Sequence, residues 1–121
     1  METLDAIEIF ASLAQETRLE AFRLLVRHAP DGLPAGDIAR ALQVPHNTMS
    51  SHLASLTRAD LVEAERQSRS IIYRAKLQTV QALAGYLLKD CCGGREEICE
   101  PLIADLQSCC GENRPQSRKQ Q

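Results

Sequence analysis

The sequence predicts a mainly α-helical domain that carries one β-hairpin, and three observations support this fold class. The chain has 121 residues, which is enough for one domain with a modest core. Only 3% of the residues are aromatic and Trp is absent, so Leu, Ile, Val and Ala must fill the core, which suits helices better than a sandwich. Apolar residues recur at helical spacing along most of the chain, whereas strict alternation is confined to the region 62–74.

Composition and charge restrict the class of protein. The formal net charge is -2, so any attraction to nucleic acid must come from a local basic patch. Glu2, Asp5 and Glu8 occupy the positions where a signal peptide would need a basic region and an apolar run. No apolar stretch approaches the roughly 20 residues that cross a bilayer. We therefore expect a cytoplasmic protein with no membrane partner, in which thiols stay reduced.

Two helices are predicted at the N-terminus. Thr3 is the predicted N-cap of the first helix, whose apolar positions at helical spacing are Leu4, Ile7, Ala11 and Ala14. Thr17 is the predicted N-cap of a second helix over 18–27, whose inward residues are expected to be Leu19, Phe22, Leu25 and Val26. Pro30-Asp31-Gly32 then predicts a turn.

The next segment has the pattern of a helix-turn-helix. Pro34 is predicted to open a third helix that runs through Leu42, and Val44-Pro45 breaks it. A fourth helix follows at once and has one apolar stripe, formed by Met49, Leu53 and Leu56. Its other face is polar and has small residues: His46, Asn47, Ser50, Ser51 and Ala54. A short helix, a tight turn and a second helix with an exposed polar face are typical of this motif.

A basic hairpin and a fifth helix are predicted next. The stretches 62–65 and 69–74 alternate on either side of Gln67-Ser68, and Arg66 and Arg69 lie at the predicted tip, with Arg74 and Lys76 behind them. The fifth helix is expected over 77–90, and Gly93-Gly94 ends it. A last helix carries Ile98, Leu102, Ile103 and Leu106. We predict one domain over 1–108 and a flexible polar tail over 109–121.

A helix-turn-helix followed by a basic hairpin is a winged helix-turn-helix, which predicts binding to double-stranded DNA. The fourth helix would enter the major groove, where Asn47 could pair with an adenine edge, while the hairpin lies against a neighbouring minor groove or the backbone. The candidate DNA-binding residues are His46, Asn47, Thr48, Ser50, Ser51, His52, Arg66 and Arg69. The alternative is that these side chains form an ordinary solvated surface.

All five cysteines lie beyond residue 90, which indicates a local site rather than a disulfide framework. Cys91, Cys92 and Cys99 offer three thiolates without a nitrogen or oxygen partner, a set that suits a soft ion, whereas zinc normally takes a fourth ligand. On an unbroken helix Cys92 and Cys99 would stand about 10 Å apart, too far to share one ion. The helix must therefore stop at Gly93-Gly94, and the third sulfur comes either from the same chain or from a second subunit.

The stretch SSHLASLTRADLVEAERQSRSIIYRAK resembles the ArsR/SmtB family of bacterial winged-helix repressors. The resemblance rests on a Ser-x-His-Leu element and the leucines and valine that lead into the wing, which are Ser50, His52, Leu53, Leu56, Leu61 and Val62. AQETRLEAFRLL, over 14–25, is similar to the second helix of the family. The chain departs from the family where Asp60 replaces a frequent Gly and where a wing glycine is replaced near Ser68.

The resemblance implies an operator-binding homodimer that pairs through its first and last long helices, with apolar Ala, Ile and Leu faces at the seam. Ala11, Ala14, Ala82 and Ala84 are small enough for close helix approach, and the alternative is that they are only good helix formers. CCGGREEIC is similar to the site of arsenic-responsive members, which implies that As(III), or Sb(III), is the inducer. Its ligands would be Cys91, Cys92 and Cys99, with Cys109 and Cys110 in an accessory role. Thiol–disulfide switching of the same cysteines is the alternative. An enzyme with a cysteine nucleophile is not expected, because no histidine base lies nearby.

Overall fold

The computed structural model describes residues 1–88. Within this range it has five helices and three strands, which confirms the predicted fold class. Their bounds in chain order are α1 Thr3–Leu13, α2 Glu16–Arg27, β1 Leu33–Pro34, α3 Ala35–Leu42, α4 His46–Arg58, β2 Val62–Gln67, β3 Ser70–Ala75 and α5 Leu77–Leu88. Met1–Leu83 form one compact unit, and the end of α5 belongs to a second. The predicted helix break at Gly93-Gly94, the last helix and the boundary at residue 108 lie outside the described residues.

The first two helices begin one or two residues earlier than the sequence predicts. The N-cap of α1 is Glu2, which forms a capping box with Asp5, and the Glu2 N–H donates to Asp5 Oδ2 at 3.0 Å. The N-cap of α2 is Gln15, whose side-chain oxygen accepts from the Arg18 N–H at 2.9 Å. The predictions of Thr3 and Thr17 as caps are therefore wrong. The longer Glu and Gln side chains satisfy the free N–H groups that a Thr cap would have satisfied.

The core forms where α1 to α4 meet the start of β2. Met49, Leu53 and Leu56 have no exposed surface, which confirms the predicted stripe of α4. The largest fully buried side chains are Ile9, Leu25, Ile38, Met49, Leu53, Leu56, Leu61 and Val62. No helix within residues 1–88 is long and apolar enough to cross a bilayer.

The orientation of α2 differs in part from the prediction. Phe22 and Leu25 are buried as expected, but Leu19 and Val26 are 42% and 38% exposed. The buried residues of α2 are Ala21, Phe22, Leu24 and Leu25. The narrower buried stripe follows from the packing of α2 against α1, α3, α4 and β3, which leaves the two flanking apolar positions at the surface.

The hairpin belongs to a three-stranded antiparallel sheet with the order β1-β3-β2. The sequence did not predict β1, which is only two residues long and pairs Leu33 with Tyr73 and Pro34 with Ile72. Pro34 therefore precedes α3 instead of lying in its first turn. Gln67 pairs with Ser70, so the turn residues of the hairpin are 68–69, one position later than predicted.

Candidate nucleic-acid interface

The helix-turn-helix is formed by α3, a three-residue turn over 43–45, and α4. Gln43 ends α3 in the left-handed conformation, with φ 57°, and the Val44 N–H donates to the Ala39 carbonyl at 3.0 Å. Pro45 then precedes the first turn of α4, which has no side-chain cap. The turn places α3 against α4, so that the buried stripe of α4 points into the core and its polar face points away from it.

The polar face of α4 is accessible. His46, Asn47, Thr48, Ser50 and Ser51 are all exposed. The first turn, to which Pro45 contributes no side-chain cap, adds the positive end of the helix dipole, which favours a phosphate. The arrangement therefore offers hydrogen-bonding side chains along the helix and an anion-binding end at its N-terminus.

Asn47 is held by its own helix. Its Oδ1 atom accepts a hydrogen bond from the Thr48 N–H at 3.0 Å. Pairing with an adenine edge needs both the carbonyl oxygen and the amide NH₂ group of the side chain. The amide oxygen has two acceptor lone pairs, so the bond from Thr48 leaves one of them, together with the NH₂ group, for such a pairing.

His52 differs from the other candidates because it is half-buried and has a protein partner. Its Nδ1 atom lies 3.4 Å from Nη1 of Arg18 on α2. The Arg18 Nε–H in turn donates to the Ser12 carbonyl at 2.6 Å, in the last turn of α1. A guanidinium group at a helix C-terminus satisfies a free carbonyl and complements the dipole. Arg18 thus joins α1, α2 and α4, a role that the sequence analysis did not assign.

The wing presents two cations at its tip. Arg74 is held at the base of the hairpin, where Nη1 is 2.5 Å from Glu65 Oε1 and Nε donates to the Pro30 carbonyl at 3.2 Å. Lys76 pairs with Asp60, and this hydrogen bond and ion pair raise the pKa of Lys76. Arg66 and Arg69 are exposed, and neither forms an ion pair with a residue of the described range 1–88.

The predicted metalloid ligands Cys91, Cys92 and Cys99, and the accessory Cys109 and Cys110, lie outside the described residues. Within residues 1–88 no group of three or more His, Cys, Asp or Glu side chains could hold a metal ion. The described part of the chain therefore carries the candidate DNA interface and no second candidate for the metalloid site.

Known proteins resemble this chain in both sequence and fold. A family model described as a helix-turn-helix domain matches residues 13–65, from the end of α1 into β2. An uncharacterized HTH-type transcriptional regulator of Bacillus subtilis, YbzH, is 30% identical over 96 residues, which are 69% of this chain and 96% of the relative.

Solved structures of other proteins are similar to this chain in fold. An ArsR-like transcriptional regulator from Rhodococcus sp. RHA1 is 26% identical, has a TM-score of 0.64, and the match covers 88% of this chain and 92% of that one. A homodimeric winged helix-turn-helix domain from Mycobacterium bovis is 22% identical, has a TM-score of 0.58, and the match covers 95% of this chain and 90% of that one. With its helix-turn-helix, its wing and these relatives, the chain belongs to the ArsR/SmtB family of winged-helix transcriptional regulators.

Proposed function

We propose that the chain is a repressor that binds operator DNA as a homodimer and is released when As(III), or Sb(III), binds Cys91, Cys92 and Cys99. The single observation that carries the DNA-binding part is the accessible polar face of α4 beside a wing whose tip has two exposed arginines without an ion pair among residues 1–88. Asn47, Ser50 and Ser51 would contact bases or phosphates in the major groove, with His46 and Thr48 at the entry of the helix. Arg66 and Arg69 would contact the backbone, which makes binding salt-dependent.

The homodimer is supported by apolar side chains that α1 leaves at the surface. Leu4, Ile7 and Phe10 are 77%, 55% and 47% exposed, and Ala11 and Ala14 are exposed beside them. On α5, Leu77 and Val80 are 45% and 37% exposed. Large apolar residues gathered on one helix mark an association surface more often than chance exposure does. The homodimeric relative from Mycobacterium bovis supports the same assembly.

The inducer is argued from the donor set. Three cysteines without a neighbouring histidine offer soft sulfur ligands, and As(III) takes three of them in a pyramid. Cys91 follows the last described residue of α5, Leu88, by three positions in the sequence. An ion bound there would act on the helix that the family uses for pairing.

The segment that opens α5 is bonded to the turn that follows α4, which supports a route from the cysteines to the DNA interface. The Lys76 N–H donates to the Leu61 carbonyl at 2.8 Å, and Thr79 Oγ1 donates to the Asp60 carbonyl at 2.6 Å. A shift of α5 would therefore strain the turn that follows α4. Coupling between two sites is typically about 1–3 kcal/mol, or roughly 5–150-fold in DNA affinity.

The proposal is tested by fluorescence anisotropy with a labelled duplex selected in vitro by the purified protein. Arsenite is titrated into the complexes of the wild type, of Cys99→Ser, and of Cys110→Ser, which removes only an accessory thiol. We expect arsenite to weaken DNA binding of the wild type and of Cys110→Ser by roughly 5–150-fold. Cys99→Ser should bind DNA normally and fail to respond. Arsenite binding that leaves DNA affinity unchanged would contradict the proposed coupling.

Thiol–disulfide switching is the second candidate, favoured by the adjacent pairs Cys91-Cys92 and Cys109-Cys110. It predicts that peroxide alone releases the DNA and that a dithiol reductant restores binding. The same anisotropy assay separates the two functions, because the metalloid mechanism requires arsenite under reducing conditions and gives no release with peroxide.

A further inference from the structure

A polar pocket lies between α1, α2 and α4, behind the exposed polar face of α4. Its volume is about 210 Å³, several times the roughly 30 Å³ that one water occupies in the liquid. The polar lining residues are Ser12, Arg18, Ser55 and Arg58, and Glu8 lines the side formed by α1. The pocket thus has room for a small solute rather than a single water.

Ser12 is the first reason to assign a ligand to this pocket. Its residue is only 7% exposed, yet its hydroxyl has no hydrogen-bond partner among residues 1–88. A buried hydroxyl without a partner costs about 1–3 kcal/mol. The Oγ atom itself has almost no accessible surface, so it would donate a hydrogen bond to an occupant of the pocket once the Ser12 side chain rotates toward it.

The two arginines are the second reason. Arg18 donates through Nε to the Ser12 carbonyl and contacts His52, while Arg58 donates through Nη2 to Ser55 Oγ at 3.1 Å. Neither forms an ion pair within the described part of the chain, whereas Arg40, Arg74 and Lys76 all do. Two guanidinium groups against the single carboxylate of Glu8 leave the lining with a net positive charge.

We propose that this pocket binds a small oxyanion, a carboxylate or phosphate group, between Arg18 and Arg58. Guanidinium groups match both anions with paired hydrogen bonds, and the hydroxyls of Ser12 and Ser55 can donate the remaining ones. Ala59 also lines the pocket and can contact a short carbon chain attached to the anion. The occupant would join α1 to the C-terminal half of α4, which adds a second ligand-dependent contact to the helix that carries the candidate DNA residues.

The test measures binding of defined anions to the whole chain, without arsenite or DNA, so its outcome is independent of the function proposed above. Amide resonances are followed by NMR while sodium phosphate or sodium malonate is added at constant ionic strength, with chloride as the balancing anion. We expect saturable shifts at Ser12, Ser55 and Arg58 with at least one of the two anions. Saturation by phosphate alone or by malonate alone identifies the head group, and linear, unsaturated shifts with both overturn the proposal.

Two variants and a matched control locate the site. Arg58→Gln removes an exposed guanidinium of the pocket and should weaken binding roughly tenfold, the value of one charge-assisted contact. Arg23→Gln removes an exposed charge from α2 outside the pocket and should change the Kd less than twofold. Ser12→Ala should weaken binding without loss of thermal stability, since it removes an unpartnered hydroxyl. Equal weakening by Arg58→Gln and Arg23→Gln, or full binding by Ser12→Ala, would overturn the assignment.

Discussion

Single residues in the left-handed backbone region determine how the elements of this fold are joined. Gln43, Asp60 and Ser68 have φ values of 57°, 65° and 57°, and each ends an element or forms a turn. Asp60 stands where the family often has Gly, and its short polar side chain tolerates this conformation better than most. Asp60 also pairs with Lys76, so the substitution adds an ion pair that glycine could not make.

The pair of Asp60 and Lys76 has a defined pH dependence. The hydrogen bond and the charge of Asp60 raise the pKa of Lys76 in the folded state. A raised folded pKa means that the contribution to stability is fully present below the unfolded pKa of a lysine and is lost as the pH rises through the folded value. The ammonium group of Lys76 therefore stays charged at neutral pH, where DNA binding would be assayed.

Gly32 is the position where a side chain is least tolerated. Its φ is +81°, and an added Cβ would lie 2.4 Å from the Tyr73 carbonyl oxygen, in the partner strand of β1. Gly32→Ala should therefore lower the free energy of unfolding by about 1–3 kcal/mol, measured by urea denaturation. Gly36→Ala is the matched control, because the nearest atom there is 3.7 Å away and alanine favours a helix. If both variants have the same urea midpoint of unfolding as the wild type, the close approach of β1 to β3 is not rigid.

At the scale of elements, the joint between α4 and α5 depends on the hydroxyl of Thr79. Thr79 is 7% exposed and its Oγ1 donates to the Asp60 carbonyl at 2.6 Å. Thr79→Val keeps the shape and removes the donor, so we expect a loss of about 1 kcal/mol in the free energy of unfolding, measured by urea denaturation. Thr79→Ser keeps the hydroxyl and should retain more of the stability. A Val variant as stable as the wild type would show that the bond adds nothing to the joint.

The existence of the helices could be predicted from the sequence, whereas their exact starts could not. The stripe of Met49, Leu53 and Leu56 repeats at helical spacing, so α4 is encoded locally. Glu2 and Gln15 are not among the preferred N-cap residues, so residue preference predicts Thr3 and Thr17 as the caps instead. β1 was missed because two residues carry no periodicity.

The sequence predicts those residues of the candidate site that lie within a single helix or a single hairpin. The exposed polar face of α4 and the arginines of the wing follow from local pattern. The contact between Arg18 and His52 joins residues 34 positions apart, and no local pattern in one sequence encodes such a pair. The same holds for the pocket, whose polar groups come from three helices.

At the scale of the whole molecule, α1 has two apolar faces. One is buried in the core and the other is exposed in the monomer. Ala6 and Ile9 are 4% and 2% exposed in the core, whereas Leu4 and Ile7 on another face are 77% and 55% exposed. A helix that stabilises only its own domain needs one apolar stripe, with polar residues opposite. The second apolar stripe of α1 is thus accounted for by the proposed dimer seam, which would bury it.

Ile7→Glu tests this seam directly. A charge placed in an apolar interface loses hydration without gaining a partner, so we expect the variant to be a monomer by light scattering coupled to size exclusion. Ile71→Glu is the matched control, because Ile71 is 38% exposed on the wing and should leave the dimer intact. Unchanged helicity in circular dichroism would show that Ile7→Glu acts on assembly and leaves the fold intact.

The same variant connects assembly to DNA affinity. A dimer engages the second half-site intramolecularly, which typically raises the apparent affinity by about 10²–10⁴-fold over one module. A monomeric Ile7→Glu protein should therefore lose at least about 100-fold in affinity for a two-half-site duplex and much less for a single half-site. Because the change lies on α1 and leaves the face of α4 untouched, a loss confined to the longer duplex assigns it to pairing. Ile7→Glu that stays dimeric and binds both duplexes like the wild type would show that the exposed face of α1 is not the seam.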